Sequence, residues 1–326
     1  MSLETFKKKI GLKLRKQAKT IAFNFKEREL LKSNDLLFCR FRAEDFPKQK
    51  TQAWLDRDNA IESIQKKLSS GTISNEDARQ LEQFSTEGLA ICKQMIDPAL
   101  IDEMVETLDG AIKRGDIHGL EWKNEQLRKS RVMDFQERIP ALNKLFKNPA
   151  IIRFLNLVFE RPVIPFQSLN FFYSSEQEPH SDAIHMSSYP LGFMSAAWIA
   201  LEDIHPDSGP LEYYPGSHKL PYVFSKDVGI SDTEYVLGGR EVYSKKYEPY
   251  IENLIKEHKL QAKQYLPKKG DVLFWHHNLI HGGTPVVDES KTRRAFVCHY
   301  FAKDVICYHD LIAEKAKVRE EAISVL

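Results

Sequence analysis

The second half of the chain contains four short apolar segments that alternate with a period of two or run together, and these limit the fold more than any other feature. Such segments predict β-strands, and short strands separated by turns and loops are typical of an antiparallel sandwich or jelly roll. Apolar residues at helical spacing precede them, which favours an α+β fold with helices flanking the sheet. The four segments are PVIPFQSLNFFYS, GFMSAAWIALEDI, GDVLFWHHNLIHGG and RRAFVCHYFAK.

The strand-rich region is predicted to form one domain over residues 81–310. It begins at FSTEGLAICKQMIDP, where a polar segment is followed by a predicted strand and then a predicted helix. Residues 1–80 are predicted to form a helical N-terminal extension, and residues 311–326 a C-terminal helix. A long insertion at about 221–265 is interpreted either as a lid over a site or as a solvated surface insertion.

The first 33 residues carry ten Lys or Arg against three Glu, and their apolar residues recur at helical spacing. A helix with an apolar stripe beside a basic face can lie on an anionic membrane surface. The same helix can also pack on the main domain with its lysines in water. Peripheral membrane contact through residues 1–33 is therefore one of two interpretations.

Charge and cysteine content restrict the class of protein. The 47 basic and 46 acidic residues nearly balance, which argues against nucleic acid as a partner. Four cysteines show no CxxC spacing, and the N-terminal residues do not resemble a secretory signal, so a reducing, cytoplasmic location is expected. No apolar run reaches the roughly 20 residues that span a bilayer, so an integral membrane protein is not expected.

His180 and Asp182 stand two residues apart in FFYSSEQEPHSDAIHM, at the predicted end of a strand. Residues two apart on a strand point the same way. His281 follows a strand in GDVLFWHHNLIHGGTP and precedes two glycines that allow a close backbone approach. Two imidazoles and one carboxylate on one face of a metal, with the other positions open, are the arrangement of non-haem Fe(II) oxygenases. These three side chains form the candidate metal site.

An arginine follows the candidate metal ligands at the start of the next strand, and it is either Arg293 or Arg294. A guanidinium at that position can bind a distant carboxylate with a bidentate fork. The cosubstrate 2-oxoglutarate requires such a cation, because its 2-oxo acid end chelates iron and its far carboxylate needs a partner. The arginine therefore indicates 2-oxoglutarate as a cosubstrate.

Together these segments resemble the phytanoyl-CoA dioxygenase-like branch of the Fe(II)/2-oxoglutarate oxygenases. The resemblance covers roughly residues 84–302, and its most specific part runs from Trp198 to Lys219. The order of the pieces along the chain also agrees with that family. They are FSTEGLAI with DPALI, EPHSD, AAWIALEDIHPDSGPLEYYPGSHKL, GDVLFWHHNLIHGGTP and RRAFVCHY.

The resemblance implies a double-stranded β-helix (jelly-roll, cupin-like) core and an Fe(II)- and 2-oxoglutarate-dependent dioxygenase. Such an enzyme would use O2 to hydroxylate a small-molecule or acyl substrate and would release succinate and CO2. Its iron ligands would be His180, Asp182 and His281. The carboxylate of Asp182 argues for hydroxylation or another oxidation, because related halogenases carry a small residue at that position.

The resemblance also implies contacts to the cosubstrate. Arg293 matches the family's 2-oxoglutarate-binding arginine, while Arg294, one residue on, would point to the opposite face of the strand. Trp198 falls where relatives place an aromatic side chain against the cosubstrate. Gln167 is a candidate for a polar contact to it.

Two departures from the family pattern leave the cosubstrate hydrogen bonds open: Ser181 replaces a common glutamine, and Gly283 stands where many relatives have serine. A catalytically inactive or other-metal cupin-like binding protein is the alternative function. The substrate is a small molecule that the sequence does not identify. An acyl-CoA would favour basic residues near the pocket mouth, and those that the insertion offers are Lys226, Arg240, Lys245 and Lys246.

Further histidines near the predicted ligands keep alternatives open. His276, His277 and His185 are close enough in sequence to replace a ligand, and His218 in PGSH is predicted to hold a loop in place. Core packing is predicted for Trp275, Cys298 and His299, and the side chains predicted to line the pocket mouth are His185, Met186, Tyr189 and Phe193.

Overall fold

The computed structural model describes residues 52–116, 132–134, 136, 139, 142–311 and 314–315. Within these ranges the chain combines helices, most of them in its first half, with three antiparallel sheets, as expected for the α+β class. The segment 1–33, with its predicted basic helix, lies outside the described residues. Among the residues described, no helix has the length and apolar character needed to cross a bilayer.

The first helices are α1 (Ala60–Ser69) and α2 (Asn75–Glu87), preceded by a short 3-10 turn at Trp54–Asp56. A capping box at Ser74 starts α2, and Gly88 in the left-handed conformation (φ 80°) ends it. Buried apolar residues of this region share one core with the later helices. The domain boundary predicted at residue 80 lies within α2. The helices on both sides of residue 80 contribute to the same core.

Among the described residues between the first and third strands there are three further helices: α3 (Pro98–Lys113), α4 (Asn143–Phe146) and α5 (Pro149–Phe159). In α3, Asp97 caps the N-terminus by accepting from the amide of Ala99, and Pro98 occupies the first turn. The helix α5 is capped in the same way by Asn148. Their apolar stripes pack against one face of the largest sheet.

Six strands form the main sheet in the order β1-β8-β5-β10-β3-β2, and every pairing is antiparallel. A register shift at His299/Tyr300 interrupts the pairing of β10 with β3. Alternate residues of these strands face the helices, while the others face a second sheet. The strands are β1 (Leu89–Cys92), β2 (Val132–Met133), β3 (Val163–Phe171), β5 (Met194–Ala200), β8 (Val272–His276) and β10 (Ala295–Ala302).

Two smaller sheets complete the fold. The first, in the order β7-β6-β9, packs its buried Leu211, Tyr213 and Tyr265 against Trp198 and neighbouring residues of the main sheet. The second has the order β12-β11-β4. Their strands are β4 (Ser187–Tyr189), β6 (Leu211–Tyr213), β7 (Lys263–Tyr265), β9 (His281–Gly283), β11 (Ile306–His309) and β12 (Glu314–Lys315).

The short strand β12 differs from the C-terminal helix predicted over residues 311–326. Its two residues pair with Tyr308 and His309 of β11, whose other edge is already paired with β4. The edge of β11 opposite β4 thus pairs with the backbone of residues 314–315, where the sequence predicts a helix. Residues 312–313 and 316–326 of the predicted helix lie outside the described residues.

The insertion at 221–265 folds into α6 (Asp232–Gly238) and α7 (Arg240–Glu257) before it enters β7. One stripe of α7, formed by Tyr243, Tyr247 and Ile251, is buried. This stripe packs in a cluster with Ile184 and Leu311. The insertion is thus attached to the chain through a buried apolar face.

Candidate metal centre and cosubstrate cavity

His180, Asp182 and His281 converge, as the sequence predicts. One ligand atom from each side chain lies within 4.8 Å of the others, and all three residues are 6% exposed. The two histidines face each other across an isolated antiparallel bridge with two backbone hydrogen bonds of 2.9 Å. Between the first two ligands, Ser181 is extended (φ −103°, ψ 150°), which turns His180 and Asp182 to the same side.

Backbone carbonyls fix which nitrogen each imidazole turns towards the centre. Nδ1 of His180 donates to the carbonyl of Glu178 at 2.9 Å, and Nδ1 of His281 donates to that of Leu279 at 3.0 Å. A carbonyl oxygen only accepts, so Nδ1 carries the proton and Nε2 keeps its lone pair. The Nε2 atoms lie 4.0 and 3.8 Å from Oδ1 of Asp182. Partners of this kind orient metal-binding histidines in other proteins.

Trp275 holds the other oxygen of the carboxylate. Its Nε1 donates to Oδ2 of Asp182 at 2.8 Å, and Nε2 of His299 lies 3.5 Å from the same oxygen. Burial alone would raise the pKa of Asp182, but His281 and His299 outweigh it and hold that pKa well below its ordinary value. Burial and His281 lower the pKa of His180. The centre is therefore a buried anion beside a neutral imidazole.

This donor set fits a divalent transition metal. A buried carboxylate requires a nearby cation, and imidazole with carboxylate is the set that non-haem Fe(II) sites use. Nε2 of His180, Nε2 of His281 and Oδ1 of Asp182 lie close together, and the Gln177 amide, 3.0 Å from Nε2 of His180, would have to give way to a metal. Among the residues described, this is the one group of His, Cys, Asp or Glu side chains close enough to hold an ion.

A cavity of about 340 Å³ opens beside the triad. The three other predicted site residues, Arg293, Trp198 and Gln167, line the cavity. Trp198 lies on β5 and Gln167 on β3, so both belong to the face of the main sheet that is turned away from the helices. The apolar part of the wall is formed by Leu169, Phe171, Met186, Leu211, Val297 and Leu311.

The two arginines point in opposite directions. Arg293 is 2% exposed, and its guanidinium carbon lies 5.5 Å from the ring centre of Phe171 on the cavity wall. The side chain of Arg294 points away from the cavity and pairs with Asp109 of α3 at 2.5 and 2.9 Å. Alternation along the chain separates the two side chains, as predicted. Of the two arginines, Arg293 is thus the one that lines the cavity.

The alternative histidines have other surroundings. Nε2 of His276 lies 3.5 Å from Oδ2 of Asp56, and Nδ1 of His277 donates to the carbonyl of Met194 at 3.2 Å. Burial lowers the pKa of His277 to about 3. His218 packs on Gly88 so closely that a Cβ there would lie 2.4 Å from its ring, which agrees with a role in holding its loop.

The prediction for the pocket mouth is partly wrong. His185 and Met186 line the cavity, but Tyr189 pairs with Ile306 in the small sheet and Phe193 packs in the core on the helix side. Tyr189 is the last residue of β4 and Phe193 follows the turn after it, and neither lines the cavity.

Sequence reasoning missed the role of several polar residues. Core packing is predicted for Trp275 and His299, and both are buried, but both also contact Asp182 and line the cavity. Period-two alternation from Arg293 along β10 would have identified His299. Gln177 lies with its amide nitrogen 3.0 Å from Nε2 of His180, and no sequence pattern marks it. His309 of β11 and Tyr235 of the insertion also line the cavity, and the sequence does not predict either of them there.

Replacing Gly282 by alanine should weaken Fe(II) binding and destabilise the fold. A Cβ at Gly282 would lie 2.8 Å from the carbonyl oxygen of Gln177, so the segment that carries His180 must move. We expect Fe(II) affinity to fall about 10-fold or more, as when the support of a metal ligand is lost. Anaerobic Fe(II) titration and thermal unfolding measure both effects.

Gly110→Ala is the matched control for this substitution. Its Cβ would meet only the flexible end of the Arg114 side chain within α3, at 3.0 Å. Alanine in a helix interior stabilises by about 0.5–1 kcal/mol relative to glycine, and Fe(II) affinity should not change. Wild-type affinity in Gly282→Ala would show that the close approach of these two segments does not position His180.

Known proteins resemble this chain over much of its length. The family model "Phytanoyl-CoA dioxygenase (PhyH)" matches residues 84–295. The peroxisomal phytanoyl-CoA dioxygenase of Homo sapiens is 24% identical over 242 residues, which cover 69% of this chain and 62% of that protein. The chain thus spans less than two thirds of the length of this curated relative.

Two solved structures share the fold at low sequence identity. Apo EctD from S. alaskensis has a TM-score of 0.56 and 16% identity, over 77% of this chain and 86% of that one. The non-heme alpha ketoglutarate dependent carbocyclase SnoK from nogalamycin biosynthesis has a TM-score of 0.55 and 17% identity, over 73% and 87%. Because the family model matches more than half of the 326 residues, the chain belongs to the phytanoyl-CoA dioxygenase family.

Proposed function

We propose that this protein is an Fe(II)- and 2-oxoglutarate-dependent dioxygenase that hydroxylates a small-molecule or acyl substrate with release of succinate and CO2. The observation that carries this proposal is the buried triad of His180, Asp182 and His281 on the same cavity as the buried Arg293. A metal alone would not require the arginine, and a structural ion pair would not require the histidines.

The proposed chemistry divides between the metal and the chain. Fe(II) held by the triad would supply the activation of O2 and the oxidative decarboxylation of 2-oxoglutarate. Trp275 holds Oδ2 of Asp182, so Oδ1 is the oxygen turned towards the two imidazoles. The carbonyls of Glu178 and Leu279 keep both imidazoles in the tautomer that binds a metal.

The chain also positions the cosubstrate and excludes water. Arg293 would bind the far carboxylate of 2-oxoglutarate with its guanidinium fork, and the low polarity around a buried arginine strengthens that contact. Trp198 and Gln167 are the proposed further contacts. The apolar wall beside them keeps bulk water from the reacting carbon, which limits side reactions of the oxidant.

The finer fold and the cellular setting remain part of the proposal. We infer that the main sheet and the β7-β6-β9 sheet are the two halves of a double-stranded β-helix, which their facing apolar surfaces support. A reducing, cytoplasmic location is supported by the free thiols of Cys92, Cys298 and Cys307. Peripheral membrane contact through residues 1–33 and the absence of a nucleic-acid partner are further expectations.

The basic residues of the insertion give little support to an acyl-CoA as the substrate. Lys246 pairs with Glu234 at 2.8 Å, and Lys245 pairs with Glu241 at 2.6 Å. Their charges are thus balanced by neighbouring carboxylates. These two lysines therefore do not favour an acyl-CoA over another small molecule, and both substrate classes stay in the proposal.

Anaerobic titration tests the proposed activity. Apoprotein receives Fe(II) and then 2-oxoglutarate, and we expect the weak visible metal-to-ligand charge-transfer band of a chelated 2-oxo acid. Admission of O2 should then release succinate. Iron binding without the band would contradict the 2-oxoglutarate assignment and favour an other-metal cupin-like protein, while failure to bind iron would favour a catalytically inactive binding protein.

A further inference from the structure

The peptide of Ser181, between the first two metal ligands, is held by a side chain from the insertion. Ser181 is 3% exposed, and its amide donates to the hydroxyl of Tyr247 at 3.1 Å. The same phenol oxygen lies 3.3 Å from Oγ and 3.4 Å from the carbonyl oxygen of Ser181. One hydroxyl thus contacts three polar atoms of a residue 66 positions away.

The hydrogen bonds of the neighbouring bridge and 3-10 turn do not include the amide of Ser181. The backbone of His180 is bonded to His281, and the carbonyl of Asp182 accepts from the amides of His185 and Met186. Ser181 lies between the bridge and the 3-10 turn, where its amide has no place in either pattern. A buried amide needs a partner, and the Tyr247 hydroxyl is the one that the fold provides.

The helix α7 places this hydroxyl rigidly. Tyr247 is 0% exposed and stacks on Tyr243 with ring centres 4.9 Å apart. Tyr243 in turn stacks on His185 at 5.2 Å, just after the metal ligands. Two aromatic contacts therefore join the insertion to the ligand segment.

We propose that Tyr247 is a positioning residue of the metal centre, which holds the Ser181 peptide so that His180 and Asp182 face the metal together. The inference rests on the proposed metal site. The extended conformation of Ser181 sets the common direction of the two ligands, so a rotation of this peptide would separate Oδ1 of Asp182 from Nε2 of His180. The insertion is then part of the metal centre.

Packing alone does not explain the hydroxyl of Tyr247. A phenylalanine would fill the same apolar stripe without burying a polar group. Tyr243, one turn earlier on the same helix, has a buried hydroxyl without a hydrogen-bond partner among the described residues. The chain therefore offers a matched pair of tyrosines, of which one contacts the ligand segment through its hydroxyl and the other does not.

Tyr247→Phe and Tyr243→Phe test the proposal in the full-length protein. We measure anaerobic Fe(II) affinity by tryptophan fluorescence, and Co(II) visible absorption as a report of coordination geometry. We expect the dissociation constant of Tyr247→Phe to rise about 10- to 100-fold with an altered Co(II) spectrum, as for lost support of a metal ligand. Tyr243→Phe should stay within about twofold of the wild type, because the Tyr243 hydroxyl makes no hydrogen bond to the ligand segment among the described residues.

Wild-type affinity and an unchanged Co(II) spectrum in Tyr247→Phe would overturn the positioning role. A wild-type protein that binds neither metal would overturn the metal site itself, and the two failures are thus distinguishable. Amide hydrogen exchange of the wild type gives a test that does not depend on the variant folding. The Ser181 amide should be protected although it lies in no helix or strand, and exchange at the rate of an exposed loop would overturn the proposal.

Discussion

Replacing Asp182 by alanine should abolish product formation and reduce Fe(II) affinity by at least about 100-fold. Loss of a mere supporting partner costs 10- to 100-fold in metal affinity, and loss of a ligand should cost more. Asp182 is also the only carboxylate of the triad, so the substitution removes the negative charge that attracts the metal. It leaves Nε1 of Trp275 without its acceptor. Anaerobic Fe(II) titration and a succinate assay measure the two effects.

Asp203→Ala serves as the control for this substitution. Asp203 forms an exposed pair with Lys268 at 3.0 Å, and exposed pairs contribute little to stability. Its Fe(II) affinity and succinate release should equal those of the wild type. If Asp182→Ala binds Fe(II) as tightly as the wild type, Asp182 is not a metal ligand.

Arg293→Ala should raise the 2-oxoglutarate concentration for half-saturation by about 100-fold and leave Fe(II) affinity unchanged. Removing one partner of a buried charge pair costs about 2–5 kcal/mol, and 1.4 kcal/mol corresponds to a tenfold change. Arg293→Lys should recover only part of the loss, because an ammonium ion lacks the bidentate fork. Succinate release against 2-oxoglutarate concentration measures the effect.

Arg294→Ala separates the loss of cosubstrate binding from a loss of stability. Arg294 pairs with Asp109 on the helix side of the sheet, so its removal should lower the unfolding temperature and leave the 2-oxoglutarate dependence unchanged. If both variants shift the 2-oxoglutarate dependence equally, the assignment of Arg293 as the carboxylate-binding residue is wrong.

His180 and Asp182 could be predicted as a pair from local alternation, and His281 from the glycines that follow it together with the resemblance to the oxygenase family. Ser181 is extended, so the side chains of its neighbours His180 and Asp182 point to the same side. The glycine after His281 permits the close approach of the segment that carries His180. The same rule separates Arg293 from Arg294. Such relations need only the period of a strand and the chemistry of the side chains.

Contacts between distant segments could not be predicted in this way. Trp275 contacts Asp182 across 93 residues, and Tyr247 contacts Ser181 across 66 residues. A tryptophan in an apolar strand and a tyrosine on a helix are both typical of a core, and only the packing of the elements shows their polar partners. The sequence alone permits either a lid or a solvated surface insertion at about 221–265, because it does not show which elements the insertion packs on.

The bridge between His180 and His281 has a consequence for how the protein responds to iron. Their reciprocal backbone bonds and the carbonyl contacts of their Nδ1 atoms are made entirely by protein groups. Metal sites that form only when ligands are gathered couple binding to folding. Here protein groups hold both imidazoles, so less of the free energy of iron binding is spent on ordering these ligands. The buried carboxylate of Asp182 still needs a cation, so iron should stabilise the folded chain by balancing that charge.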